Sequence, residues 1–566
     1  MRFALFAVAG SAAILAACSY EPDPAPAPAP EPDYAERVFT GGTIYTGVDD
    51  TPTVELVAVD DGRIVFAGAA ADAETMIGPD TETVDLAGAT LFPGFTDSHV
   101  HIIGVGERER SLNLEGVTSI AELQAAVAQA AEDETASIIA GRGWIETHWP
   151  EDRFPTAADL DAVEAQRPVV LVRADGHALV ANTAAMEAVG ITAETPDPDG
   201  GAILRDEEGA ATGMMIDTAM GPFAALQPEP TRDERLALYE LGAETLAASG
   251  WTGVHNMSVA FADVAIMETL AGQGRLPIRV ANYVNPDDYD DAAAIVGEEA
   301  LDERVRTPGV KFYMDGALGS RGAALLQPYA DAADTAGLFL SERTNSQEMM
   351  RAALRDGVQL AVHAIGDAGN RRVLDWMEAS FETVPAEARA QADPRWRVEH
   401  AQILHPDDIA RFGVLDVIAS MQPSHAIGDL HFAPSRIGLQ RLDGAYAWRS
   451  LIEAGAKIAG GSDAPVERGE ARIEFYAAAV RRDLNGFAGQ GWNLDQALDR
   501  ETALDLFTIW PAYATFREDE LGTIEVGKIA DFSVFDRDLM TVPDLELRQA
   551  RPVMTVVDGA VVWRAP

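Results

Sequence analysis

Cysteine and lysine are the scarce residues of this 566-residue chain. The single cysteine, Cys18, excludes an internal disulfide, so no disulfide framework supports the fold. Lysine stands only at Lys311, Lys457 and Lys528, and every other basic side chain is arginine. A GC-rich coding bias accounts for that preference and leaves three lysines to explain. Positive charge is short overall: 42 Lys and Arg face 91 Asp and Glu, a formal net charge of −49. That balance excludes non-specific nucleic-acid binding and adhesion to anionic lipid, both of which need a basic surface. No P-loop, dinucleotide-binding glycine fingerprint or serine nucleophile elbow stands in a suitable context. The serine of GGSDAP has Asp463 beside it, and that aspartate is better explained as a ligand. What is abundant is apolar. With 47% hydrophobic and 23% charged residues, the chain can bury a sizeable core and lacks the composition of a disordered protein. Its length exceeds an ordinary domain of roughly 100–200 residues, although a barrel with additions fills it.

The N-terminus, MRFALFAVAGSAAILAAC, carries one charge at Arg2, an apolar run and then small residues. It is too short for a spanning helix, which needs roughly 20 apolar residues, and reads as a signal peptide over residues 1–17. Leu15-Ala16-Ala17-Cys18 resembles a bacterial lipobox, in which the cysteine is lipidated; an ordinary signal peptide with an incidental cysteine is the alternative. Residues 18–36 are a Pro-rich acidic linker, an extended spacer of polyproline type. The expectation is an exported lipoprotein facing the periplasm or the cell exterior, on the outer membrane in a Gram-negative cell because Ser19 follows the cysteine. Membrane contact is then through the lipid anchor alone, and a homodimer is compatible with the sequence.

From Val38 short alternating runs (VFTGGTIYT, VELVAVDDGRIVFAG, TVDLAGATLFPGF) are punctuated by Gly and Asp, and the texture returns in LGTIEVGKIADFSVFD and VMTVVDGAVVW. Alternation with turn dipeptides predicts antiparallel strands, hence one β-sandwich built from both termini, residues 37–92 and 516–566. Between them, residues 93–515 alternate apolar strand-like runs with Ala-rich helical stretches, the pattern of an α/β (β/α)8 TIM-like barrel. The eight expected strands are FPGFTDSHVH, GWTGVHNM, PIRVANYV, GVKFYMDG, VQLAVHAIGD, RWRVEHAQ, DVIASMQPSH and AKIAGGSDAP. The long gap after the first predicts an inserted subdomain at about residues 103–225, carrying GRGWIETHW and VVLVRADGHALVAN.

Barrel enzymes place reacting groups at the C-terminal ends of strands. Those ends carry His99 and His101, Lys311, His363, His400 and Asp463, each a metal ligand or able to become one. His99 and His101, two apart on an extended strand, point to one face and can share an ion. Any one of these histidines alone reads as a satisfied barrel residue; the whole set is hard to assign to packing.

With FPGFTDSHVH, GRGWIETHW, ADGHALVAN, VKFYMDGALGSR, LAVHAIGDAG, RVEHAQ, SMQPSHA, GSDAPVE and the closing GTIEVGKIADFSVFD, the chain resembles the amidohydrolase superfamily from about Val38 to Trp563. Within it, the resemblance is to the branch that includes N-substituted formamide deformylase-like proteins. It implies two divalent metal ions, usually zinc, with His99, His101 and Asp463 on one, His363 and His400 on the other, and Lys311 bridging them as a carbamate. Arginine cannot take that role because its guanidinium stays protonated. The alternative for Lys311 is a plain ion pair with Asp315 or Asp463, which leaves one metal. Asp463 is also the expected proton carrier. His177, His425, Arg321 and Asp315 are candidate substrate contacts, each of which could instead order its loop, while Trp144 and His148 could wall the site. His255 is left without a ligand role, His405 and His431 read as surface residues, and Lys457 and Lys528 as structural. The implied activity is metal-dependent hydrolysis of a non-peptide amide-type C–N bond in a small molecule. A one-metal deaminase or esterase on the same scaffold, or a non-catalytic metal- or solute-binding lipoprotein, are the alternatives.

Overall fold

A computed structural model describes residues 34–134, 136–146, 149–174, 176, 178–198, 201–226, 229–296, 304–341 and 343–566. Cys18, the signal peptide, most of the Pro-rich linker, His148 and His177 lie outside the described residues.

The eight expected barrel strands are present as β1 (Phe95–Val100), β2 (Trp251–Val259), β3 (Arg279–Val284), β4 (Val305–Tyr313), β5 (Gln359–Ala364), β6 (Arg397–His400), β7 (Ile418–Met421) and β8 (Ile458–Gly460). They pair in parallel and in sequence order, from β1 beside β2 round to β7 beside β8. β5 and β7 are buried at every position, as strands covered by helices on one side and by barrel contents on the other must be. A representative outer helix, Arg232–Ala248, starts with a capping box in which Thr231 and Glu234 satisfy each other's backbone amides, and it buries Leu238, Tyr239 and Leu246 against the barrel.

β1 and β8 share no strand ladder, and the barrel is closed just beyond their ends. The Asp463 amide donates to the His99 carbonyl at 2.6 Å and the His101 amide to the Ala464 carbonyl at 2.9 Å. Asp97 of β1 reinforces the join, accepting the Ser462 amide at 2.8 Å and the Ser462 hydroxyl at 2.5 Å.

Both termini do meet in one β unit. Thr90–Pro93 pairs antiparallel with Phe532–Phe535, and the strands run as one hydrogen-bonded path from Ala560–Arg564 to Arg63–Gly68. Two of its hairpins turn on Asp-Gly, at Asp61-Gly62 and Asp558-Gly559, with all four residues at positive φ. That is the turn whose twist matches the flanking strands and which glycine accepts without strain. Phe39 meets Phe532 edge to face in its core, so residues about 490 positions apart seal it.

After β1 the chain makes a separate six-stranded sheet running from Leu112–Asn113 to Ala211–Asp217, with its own apolar clusters around Trp144 and Met215. Trp144 is fully buried there, its Nε1 donating to the Leu171 carbonyl and its ring lying against Trp149. The expectation that Trp144 walls the reaction site is therefore corrected: the strand Ile139–Trp144 turns it into the core of the insertion.

Candidate metal centre

The C-terminal ends of the strands converge on Asp463. Its Oδ1 lies 3.2 Å from His101 Nε2 and 3.5 Å from His99 Nε2, and its Oδ2 lies 3.7 Å from His425 Nε2. Two groups of potential donors thus share one carboxylate: His99, His101 and Asp463, and His400, His425 and Asp463. His363 sits beside the second group, its ring 4.5 Å from that of His400, while its Nε2 faces the Gly316 carbonyl at 3.5 Å and Asp315 at 3.6 Å.

Three of the ligand candidates are aimed by a bond on their far side. His99 Nδ1 donates to Glu399 Oε2 at 2.6 Å, His101 Nδ1 to the Met257 carbonyl at 3.0 Å, and His400 Nδ1 to Gln422 Oε1 at 2.8 Å. In all three the Nε2 lone pair is left pointing into the site, the arrangement that orients metal-binding histidines. Glu399 is itself gripped by Arg397, whose Nε and Nη2 reach its two oxygens at 2.5 and 3.1 Å. Arg397 also donates to the Ser98 carbonyl and to His255 Nδ1, which explains why His255 is buried and yet no ligand.

Electrostatics suit cation binding. Burial, with Lys311 nearby, lowers His99 to about 3. Burial likewise drives His363, His400 and His425 below the ordinary histidine value, so these imidazoles are neutral and their lone pairs free. Burial pushes Asp463 up, but His99, His101 and His400 outweigh it and hold the carboxyl well below its usual range. Glu399 stays ionised in the same way, against burial, through Arg397 and His99. His425 Nε2 is buried with no hydrogen-bond partner, a cost that coordination removes. Neutral histidines, an ionised carboxylate and an orphaned ring nitrogen fit a divalent metal.

Lys311 is 1% exposed on β4. Its Nζ lies 3.3 Å from His99 Nε2 and pairs with neither Asp315 nor Asp463, so the plain ion pair is not what the structure contains. Two residues on, Tyr313 presents a partly exposed ring 5.2 Å from that of His363, with its hydroxyl 2.6 Å from Ser258 Oγ. Tyr313 was legible as sharing the face of Lys311 in KFY, since side chains two apart on a strand point the same way.

The other candidates fall elsewhere. Asp315 is buried and accepts amides from Ile365, Gly366 and Ala324, which orders the loops after β4 and β5. Arg321 is taken up by Asp331 at 2.9 Å. These placements correct the reading of Asp315 and Arg321 as free to meet substrate. His405 caps the helix Pro406–Val414, and His431 pairs with Asp483 at 3.1 Å. Lys528 donates to two carbonyls of a loop at the terminal β unit, and Lys457 lies over the Tyr513 ring.

A parallel barrel closed at a cluster of neutral histidines around an ionised aspartate defines a class, the metal-dependent hydrolases. Sequence and structure comparisons narrow it. Residues 82–563 match the Amidohydrolase family, and the chain belongs to that family. YtcJ of Bacillus subtilis (strain 168) is 32% identical over 542 residues, covering 93% of this chain and 99% of that protein. N-substituted formamide deformylase of Arthrobacter pascens is 28% identical, covering 90% and 94%. An uncharacterized metal-dependent hydrolase from Pyrococcus horikoshii OT3 superposes with a TM-score of 0.72 at 28% identity, covering 90% of this chain and 99% of that one. The protein is a hydrolase that uses divalent metal.

Proposed function

We propose that the protein cleaves a non-peptide amide-type C–N bond of a small molecule, using two divalent ions, zinc by family resemblance. His99, His101 and Asp463 would hold one ion and His363 and His400 the other, with a carbamate on Lys311 between them and His425 as a further donor beside Asp463. The observation that carries this reading is the convergence of two donor groups on Asp463. A metal held there would supply Lewis acidity and would bring the pKa of a water towards neutrality. Asp463 is ionised and buried, so it can take the proton of the attacking water and hand it to the departing amine. Tyr313, whose ring lies 5.2 Å from that of His363 and whose hydroxyl meets Ser258 Oγ, would donate to the developing oxyanion. His177 stays a proposed substrate contact from its motif.

A panel of N-formyl amines, other N-acyl amines, cyclic amides and esters, assayed with the full chain in added zinc or manganese, tests the bond type. N-substituted formamides lead the panel because one relative is named for them. Hydrolysis of esters alone would sink the C–N reading. His363 turns its Nε2 to the Gly316 carbonyl and stands outside both donor groups, which favours a second reading: a one-metal enzyme of the same class. Elemental analysis separates them, two ions per chain against one.

We also propose export and lipid anchoring through Cys18. Palmitate labelling should be lost in Cys18→Ala; a variant that still matures and partitions with membranes refutes the anchor. Among the described residues no helix is long and apolar enough to cross a membrane.

A further inference from the structure

The opposite, N-terminal end of the barrel encloses a cavity of about 50 Å³ against the terminal β unit, and we propose that it binds a small oxyanion, a carboxylate or phosphate, through Arg306. Four arginines line this cavity, Arg279, Arg304, Arg306 and Arg517, with one carboxylate, Asp531. Three of the four are neutralised by neighbours. Arg279 bonds Asp531 at 2.6 and 3.1 Å and also reaches Asp558. Arg304 bonds Asp558 at 2.7 Å, and Arg517 bonds Glu520 at 2.9 Å. Arg306 is half-buried on β4, where its backbone pairs with the Ala281 position of β3, and its side chain has no hydrogen bond or ion pair with any described residue. Among the described residues, Arg306 is the lining guanidinium without a carboxylate partner.

A guanidinium without a partner stands out in a molecule whose net charge is −49. Arg517 beside it is held below the ordinary arginine value chiefly by burial, then by Arg279, with Arg306 adding to the effect against Glu520. A guanidinium offers a planar fork of donors that meets carboxylate or phosphate oxygens two at a time. In a walled cavity of low dielectric that pairing is stronger than on an open surface. The volume admits an anion of a few heavy atoms. The site stands apart from the metal centre, which occupies the other end of the same strands.

The test is the melting temperature of the full, metal-loaded protein in chloride buffer, with inorganic phosphate or acetate added at constant ionic strength. Wild type, Arg306→Gln and Arg306→Lys are compared. Phosphate or acetate is expected to raise the wild-type Tm saturably, on the order of 2 °C for a chain of this size. The shift should vanish in Arg306→Gln and persist in part in Arg306→Lys, and the more effective anion identifies the ligand. In chloride alone, Arg306→Gln should melt at or above wild type, because an uncompensated cation has gone. No saturable shift in wild type, or an equal one in Arg306→Gln, which would place the anion at the metal centre instead, overturns the proposal. So does an Arg306→Gln protein destabilised in chloride.

Discussion

Replacing Glu399 by Gln should separate the metal centre from its support. Glu399 is fully buried, accepts His99 Nδ1 at 2.6 Å and binds Arg397 through both oxygens. Glutamine keeps the shape and one acceptor and removes the charge. Two losses follow. Arg397, itself 0% exposed, is left as an uncompensated cation, and breaking a buried pair from one side costs about 3–5 kcal/mol. His99 loses the carboxylate that fixes its tautomer and raises its basicity, and losing such a support weakens metal binding about 10–100-fold, or about 1.4–2.8 kcal/mol. Urea unfolding of the metal-stripped protein measures the first loss, and zinc competition against a chelator of known affinity measures the second. The double variant Glu399→Gln with Arg397→Met sharpens the test: stability should largely return, since no charge is then stranded, while metal affinity should not. The reasoning fails if Glu399→Gln binds zinc within twofold of wild type, or if the double variant recovers both properties together.

Lys311→Ala should leave at most one ion per chain and abolish turnover; two ions by elemental analysis would remove the bridging role from Lys311. Asp463→Asn should keep part of its metal but lower kcat by about 10²–10⁴-fold, the usual contribution of a general base, and a rate near wild type would assign the proton to another group. Glu474 is buried, accepts the Ser424 amide through Oε2 and has no partner for Oε1, and burial raises it well above the ordinary glutamate value. A carboxyl raised in the folded state gives its full stability below the unfolded pKa and loses it as pH climbs towards the folded one. Glu474→Gln lacks that loss, so its stability relative to wild type should grow from pH 5 to pH 8; a difference that does not vary with pH contradicts the account.

The barrel was legible because several of its short strand-like runs end in a chemical residue, and a strand end is where a parallel barrel exposes its functional groups. His99, His101, His400 and Asp463 could be placed on that ground alone. His425 was harder: it follows β7 on the short helix Pro423–Asp429, and only the path of that helix carries its ring back to Asp463. Glu399 and Arg397 were overlooked beside the more conspicuous His400, although two charged residues inside an apolar strand signal a buried pair. Trp144 reads as a wall over the site because its motif lies in the insertion, whereas it ends the strand Ile139–Trp144 and packs into that unit's own core. Arg321 and Asp315 share a motif with the site, yet their partners, Asp331 and three backbone amides, come from segments whose proximity no local pattern reveals.

The pairing of Thr90–Pro93 with Phe532–Phe535 has a consequence for how the protein comes into being. The strand Thr90–Pro93 must wait for one of the last strands before its edge on that side is covered, and β1 waits, over a somewhat shorter stretch of 365 residues, for Ser462 at the turn that closes the barrel on it. Contacts so distant along the chain make for slow folding and prolonged exposure of unpaired strands. The nascent chain therefore stays open along one side until synthesis is nearly complete, and a truncation that removes only the final strands would strand the first ones as well.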